Sequence, residues 1–243
     1  MPASDAPGIH RATAIGYDAE RLGRAMSAAF ADDAGGVYLW PDPDERRRAL
    51  RWYYGVLVPR LGFGGGRVDV ADDGSGQAVW IAPGHSVGVA SGVRAGALGF
   101  PRRFGLGAFW RLKTLSDTID ALRREAAPPG HWYLLLLGVE PAAQGRGLGA
   151  RLMAPMLEEA DRTGRACYLE TSTASNLPFY RTHGFEVVGE RRVPRGHLYW
   201  GMARPPQPAP LAADARAADA RTGEDVSRPP TPRSETSTPP ATG

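Results

Sequence analysis

Cysteine and lysine are nearly absent from this 243-residue sequence, with Cys167 and Lys113 the single examples. One cysteine excludes a disulfide framework and any cysteine-based zinc site. The 5 histidines show no ligand spacing, so no metal is expected. Long hydrophobic runs are missing too: Trp132 to Leu137, the longest, falls far short of the ~20 residues that span a bilayer. The opening Met1-Pro2-Ala3-Ser4-Asp5 lacks the basic and apolar stretches of a secretory leader. A soluble, cytoplasmic protein that engages no membrane is the expectation.

Charge of one sign is also lacking. The 29 basic and 26 acidic residues leave a net charge of +3, and the arginines are interleaved with Asp and Glu. No basic stripe forms, so nucleic acid is not an expected partner. Arg46-Arg47-Arg48 follows Asp42, Asp44 and Glu45 and reads as a solvated helix face.

The remaining composition, 42% hydrophobic and 23% charged, is that of a globular protein long enough to bury a full core. No aromatic residue follows Trp200, and Pro205 to Gly243 is rich in Pro, Ala, Ser and Thr. Such a segment cannot offset its ordering entropy by apolar burial. The expected organisation is a flexible 1–8, a folded domain over 9–203 and a disordered tail over 204–243.

Periodicity predicts strands over Ile9–Ala14, Arg67–Ala71 and Gln77–Ala82, the latter two joined by the hairpin Asp72-Asp73-Gly74-Ser75-Gly76. Helices are predicted over Tyr17–Ala31, Asp44–Leu61 and Phe104–Ala126. Gly84 to Gly107 reads as a mobile substrate-side loop. Trp132–Glu140 reads as a strand buried on both faces, followed by a helix over Ala150–Arg162 and a strand over Ala166–Thr171. A short helix over Pro178–His183 and strands over Phe185–Arg192 and His197–Met202 complete an α/β domain with a mixed sheet.

The informative stretch is Val139-Glu140-Pro141-Ala142-Ala143-Gln144-Gly145-Arg146-Gly147-Leu148-Gly149. A buried strand runs into a glycine-rich turn that opens a helix. Glycines let the backbone approach a bulky anion, the first helical amides point at it, and the helix dipole adds attraction. The pattern suits a pyrophosphate, with Arg146 and Arg151 adding charge at the rim. Gly145-x-Gly147-x-x-Ala150 with Glu170 downstream also satisfies the dinucleotide fingerprint. An NAD(P)-dependent oxidoreductase is therefore one alternative. Against it, the first glycine lies well beyond the strand, and too little chain follows for a doubly wound sheet.

Gln144-x-x-Gly147-x-Gly149 after V-E-P resembles the Q/R-x-x-G-x-G/A signature of the GNAT acetyltransferase superfamily. N-L-P-F-Y-R-T-H-G-F (Asn176 to Phe185) resembles the segment that follows in that superfamily. F-A-D-D (Phe30 to Asp33) and V-W-I-A-P (Val79 to Pro83) look like puromycin N-acetyltransferase and its relatives.

The resemblance implies a mixed, largely antiparallel sheet of six to seven strands, flanked by helices and with splayed central parallel strands. It implies acetyl-coenzyme A as co-substrate. Its pantetheine arm would pair with Leu137 and Val139, and its pyrophosphate would meet the amides of Gln144, Gly145, Arg146, Gly147, Leu148, Gly149 and Ala150. Gly138 is the expected bulge that lets the strands separate. Asn176 is expected to cap the short helix or to touch the coenzyme. Tyr180 occupies the general-acid position, with packing beside Phe179 as its structural alternative, and the Val139 amide is the expected oxyanion donor. For the base the sequence offers Glu140, Glu170 acting through water, or no dedicated residue. His131 and Trp132 are placed at the amine entrance. The implied reaction is direct acetyl transfer, in a ternary complex, to a primary amine of a small molecule by a monomer or homodimer. A non-catalytic acyl-coenzyme A-binding module is the other alternative.

Overall fold

Asp18, Asp33 and Asp42 each open a helix by accepting from orphan N–H groups of its first turn. The computed structural model describes residues 7–207. In chain order it contains β1 (Ile9–Arg11), α1 (Ala19–Ala29), α2 (Ala34–Leu39), α3 (Pro43–Trp52), α4 (Val58–Gly65), β2 (Gly66–Ala71) and β3 (Gly76–Ile81). These are followed by α5 (Val89–Ala95), α6 (Phe100–Ala126), β4 (Trp132–Val139), α7 (Leu148–Arg162), β5 (Cys167–Thr171), α8 (Leu177–Arg181), β6 (Glu186–Arg192) and β7 (Leu198–Arg204).

The seven strands form one sheet in the order β1-β2-β3-β4-β5-β7-β6. Only β4 and β5 pair in parallel; each other neighbouring pair is antiparallel. That is the mixed α/β architecture expected. It overturns the dinucleotide-fold alternative, which needs a doubly wound parallel sheet.

Each face of the sheet has its own cover. Leu148, Leu152, Met153 and Met156 of α7 pack on Trp80, Leu134 and Leu169. On the opposite face Met26 of α1 packs with Val68, Val79 and Leu136. Leu122 of α6 lies over Gly189 of β6 and Gly201 of β7, both close approaches that a side chain would obstruct.

Three local features depart from expectation. The predicted continuous helix over 44–61 is interrupted by a π-helical turn, Tyr53–Leu57. There α1 crosses at backbone contact: a Cβ on Gly55 would lie 2.8 Å from Gly23 Cα. Gln77 Nε2 satisfies the Tyr54 carbonyl at 2.9 Å, and its Oε1 accepts from Tyr17 Oη at 2.7 Å. Arg46 does not face solvent; it is buried and donates to the carbonyls of Ala31, Trp40 and Pro41. The expected loop over Gly84–Gly107 carries α5 and the start of α6, kinked at Gly105 with φ +79°.

Residues 1–6 and 208–243, where most of the flexible start and the tail were expected, lie outside the described residues. At the margins, Pro7 O accepts from Arg151 and Gly8 O from the Asp72 amide. Arg204, the first residue assigned to the tail, ends β7 with its guanidinium on Asp161 at 2.6 and 2.7 Å. None of the described helices is long and apolar enough to cross a membrane.

Candidate active site

The parallel strands stay together for only three residue pairs, Trp132–Leu134 against Cys167–Leu169. Beyond them β5 turns to β7 and β4 continues along β3, so the two strands part. The extra residue that allows this is Leu135: Val79 stands opposite Leu136, whereas Trp80 stands opposite Leu134. The bulge is therefore not at Gly138. That glycine is required by α1, because a Cβ there would strike Met26 Sδ and lie 2.8 Å from Phe30 Cε2.

Register then aims the main chain of β4. Glu140 N–H donates to Ser75 O at 2.7 Å, and Val139 stands opposite Gly76. Antiparallel alternation turns the N–H and C=O groups of Leu137 and Val139 away from β3 and into the gap. Gln144 Nε2 donates to Val139 O at 2.9 Å and pins the strand end. The Gln144 amide itself is used by Pro141 O at 3.3 Å, so it does not belong to an anion cradle.

Gly145 and Gly147 carry φ of +74° and +75°, the left-handed conformation that glycine adopts most readily. Gly147 is the N-cap of α7 and offers no capping side chain. The first helical bond runs from Arg151 N–H to Gly147 O, which leaves the amides of Leu148, Gly149 and Ala150 unused by the helix. No acidic residue lies in this first turn. Arg146 is exposed beside it, whereas Arg151 is turned to Pro7 O. Above the turn lies a cleft of about 750 Å³ walled by Leu137, Gly138, Val139, Gly147, Asn176 and Tyr180.

A smaller cavity of about 170 Å³ opens where β4 and β5 part. It shares Phe30, Asp33, Leu137, Asn176 and Tyr180 with the cleft, so these five residues form the neck between the two spaces. Its inner wall holds Tyr53 and Tyr54 from the π turn, Ile119 of α6, Tyr133 and Glu170. The Glu170 side chain is only 3% exposed, and burial raises its carboxyl to about 7, a rise tempered by Arg123, whose Nη1 lies 3.7 Å away. Arg123 in turn stacks on Tyr133 and pairs with Asp120. Glu170 Oε1, Arg123 Nη1 and Tyr168 Oη are all buried without a hydrogen-bond partner.

Tyr180, expected as the general acid or as a packed aromatic, stands at the neck. Its ring packs against Phe179 and Phe185, and it lines cleft and cavity alike. Burial pushes its hydroxyl up to about 12. Asn176 stands before α8 without a side-chain cap, because the preceding 3₁₀ turn runs straight into the helix. Glu140 is not brought to the cleft: its carboxylate accepts from Arg21 Nη2 at 2.9 Å. His131 lines a separate pocket with Arg124 and His85, and Trp132 packs into the α7 cluster. Among the described residues, none from Gly84 to Gly107 borders the cleft or the cavity. Cys167 is buried, with its thiol pushed up to about 12.

Residues 118–204 match the family model described as an acetyltransferase (GNAT) domain. N-alpha-acetyltransferase RimI of Mycobacterium tuberculosis is 43% identical over 81 residues, 32% of this chain and 50% of that protein. An uncharacterised N-acetyltransferase of Schizosaccharomyces pombe is 25% identical over 187 residues, 69% and 70% of the two chains. The chain thus spans half the length of the first curated relative it matches. A histone acetyltransferase HPA2 and related acetyltransferase structure from Corynebacterium glutamicum shares the fold at a TM-score of 0.61 and 23% identity, covering 85% of this chain and 99% of that one. The family match is thus confined to residues 118–204, and the likeness to the Corynebacterium glutamicum structure is one of fold.

The GNAT match takes in β4, α7, β5 and α8, the elements around the cleft. It stops short of α1, α2 and the π turn, which supply Phe30, Asp33, Tyr53 and Tyr54 to the inner cavity. Sequence reasoning passed over this wall. Tyr53 and Tyr54 belong to no motif, and Asp33 stands only within F-A-D-D. The aspartate before Ala34-Gly35-Gly36 was the available cap signal.

Proposed function

We propose that this chain is an N-acetyltransferase that moves an acetyl group from acetyl-coenzyme A to a primary amine of a small molecule. The observation that carries this reading is the shared neck. A long cleft lined by main-chain amides meets an inner cavity holding a buried carboxyl, through the gap between the parted strands.

The chain's own groups suit the co-substrate. The amides of Gly145, Gly147, Leu148, Gly149 and Ala150, with Arg146 at the rim, would hold the pyrophosphate. Leu137 would pair with the pantetheine arm in the manner of an added strand, while Val139, its carbonyl held by Gln144, turns its N–H toward the thioester. Bound acetyl-coenzyme A supplies an activated thioester, so no enzyme nucleophile is needed.

Glu170, poised near neutrality, accepts the proton of the amine, directly or through a water shared with Arg123 and Tyr168. The freed nitrogen forms the bond to the acyl carbon as the carbon–sulfur bond breaks. The Val139 N–H donates to the carbonyl oxygen, Tyr180, still protonated at neutral pH, donates its proton to the departing sulfur, and the second proton of the nitrogen, lost as the amide forms, returns to the Tyr180 oxygen. Glu170 takes over the base role expected of Glu140, whose carboxylate is occupied by Arg21.

The likeness to an N-alpha-acetyltransferase favours a second reading, a protein or peptide α-amine as acceptor. Calorimetry with acetyl-coenzyme A, followed by a thiol-release assay over an amine panel, tests both. Micromolar binding with amine-dependent thiol release supports the enzyme reading. Binding without release for any amine leaves a non-catalytic module, and absence of binding rejects the cradle.

A further inference from the structure

The inner cavity allows the acceptor to be specified. We infer, resting on the reading above, that the acceptor is a compact primary ammonium: a charged nitrogen on a body no larger than one six-membered ring with a short arm.

Size is the first argument. At about 170 Å³ the cavity is close to the ~150 Å³ apolar cavity that accommodates benzene. A body of that volume fills it, and a polyamine or a dipeptide does not fit inside.

Charge is the second. Asp33 and Glu170 both line the cavity, and Arg123 stands behind Glu170. Glu170 sets its carboxyl in the inner wall, with Arg123 Nη1 at 3.7 Å on the far side. An ammonium that enters past Asp33 meets this carboxylate at the inner wall and loses its proton to it.

Wall chemistry is the third. Phe30, Tyr53, Tyr54 and Tyr133 present ring surface, which suits both a cation and an apolar body. Leu135 and Ile119 close the floor. A chain with polar groups along its length would leave them without hydrogen-bond partners against these rings.

Closure is the fourth. The turn after α1 reaches across the strand gap: Phe30 lies against Gly138 of β4, while Asp33 accepts from Ser172 and Thr173 beyond β5. This strap narrows the gap on that side, where the second residue of a peptide acceptor would have to leave.

The experiment compares benzylamine, butylamine, spermidine and an alanyl tripeptide with the full chain. Thiol release measures turnover, and calorimetry measures binding of each amine alone. We expect kcat/KM for benzylamine or butylamine to exceed the triamine and the peptide by at least 50-fold. Ile119→Phe, which fills the cavity, should abolish compact-amine binding and leave acetyl-coenzyme A affinity within twofold. Ile119→Ala, which enlarges it, should move preference toward a bulkier ring by at least fivefold, and serves where the larger residue prevents folding. Preferred acetylation of the peptide or the triamine overturns the inference and leaves the acetyltransferase reading intact. Compact-amine binding that Ile119→Phe abolishes, without turnover, supports the cavity assignment and defeats that reading. Equal binding of all four amines, or of none, overturns the inference.

Discussion

Asp33 accepts from Ser172 Oγ through Oδ2 at 3.0 Å, while its Oδ1 accepts from the amides of Gly35 and Gly36. One carboxylate therefore starts α2 and ties the turn after α1 to the segment beyond β5. Asp33 and Ser172 both line the inner cavity, so the tie forms part of its wall.

Removing only the cross-gap bond separates the two tasks. Ser172→Ala keeps the α2 cap, so it should cost less than about 1 kcal/mol of stability. The KM for the acceptor amine should rise several-fold, with coenzyme affinity unchanged by calorimetry. Asp33→Ala loses the cap as well and should lower Tm by several degrees more. An unaltered amine KM in both variants would remove the strap from the argument.

Glu170 makes activity and stability depend on pH in opposite directions. As the base it must be ionised, so kcat/KM should rise with pH through about 7 and level off above. Its folded pKa lies above the unfolded value, so folding is favoured by its protonated form. That contribution is complete below about 4.3 and is lost as pH rises through about 7. At pH 8 the ionised, 97% buried carboxyl costs on the order of 3 kcal/mol, an upper figure. Glu170→Gln should abolish the pH rise in activity, and should raise Tm relative to the native protein at pH 8 more than at pH 5. A pH-independent Tm difference contradicts the assignment.

Gly147 is needed for its backbone angle and not for lack of room, since no atom lies within 4 Å of where a Cβ would stand. Gly147→Val forces a β-branched residue into the left-handed region, at roughly 1–2 kcal/mol or a reshaped turn. Gly147→Asn tolerates that region far better. Acetyl-coenzyme A affinity should fall in the order Gly, Asn, Val, with Val weaker by tenfold or more. Equal calorimetric affinities would dismiss the main-chain cradle.

The cleft was far more legible in the sequence than the cavity, and the difference is physical. The cleft is built from one contiguous turn whose glycines and helix start carry a local signal, Val139 to Ala150. The cavity draws on residues distant in sequence, Asp33, Tyr54, Tyr133 and Glu170, brought together only by sheet register and helix crossing. Helix α2 was passed over because Ala34-Gly35-Gly36 has poor helical propensity, which the Asp33 cap overrides. The π turn is invisible to a 3.6-residue period. The bulge was misplaced because a glycine in a strand suggests either irregularity or close approach, and at Gly138 the reason is α1. Glu140 looked catalytic from its place after the strand; its pairing with Arg21, 119 residues away, has no local signature.

Tyr180 separates chemistry from binding. Tyr180→Phe keeps the packing against Phe179 and Phe185 and removes only the hydroxyl. Turnover should fall at least tenfold, with coenzyme affinity and Tm nearly unchanged. A rate within twofold of the native protein would leave Tyr180 as a packing residue alone.

Gly138 tests whether α1 is what shapes the floor of the neck. A methyl there displaces Met26, which is wholly buried, and presses on Phe30. Gly138→Ala should therefore destabilise the protein by roughly 1–3 kcal/mol, as overpacking does. Met26→Ala alone leaves a void and should cost about 2–5 kcal/mol. Combined, the added methyl fills part of the void, so the double variant should be more stable than the sum of the single losses by at least 1 kcal/mol in urea unfolding. Strict additivity would mean that Gly138 serves strand geometry after all, and that Phe30 owes its place at the neck to something other than this contact.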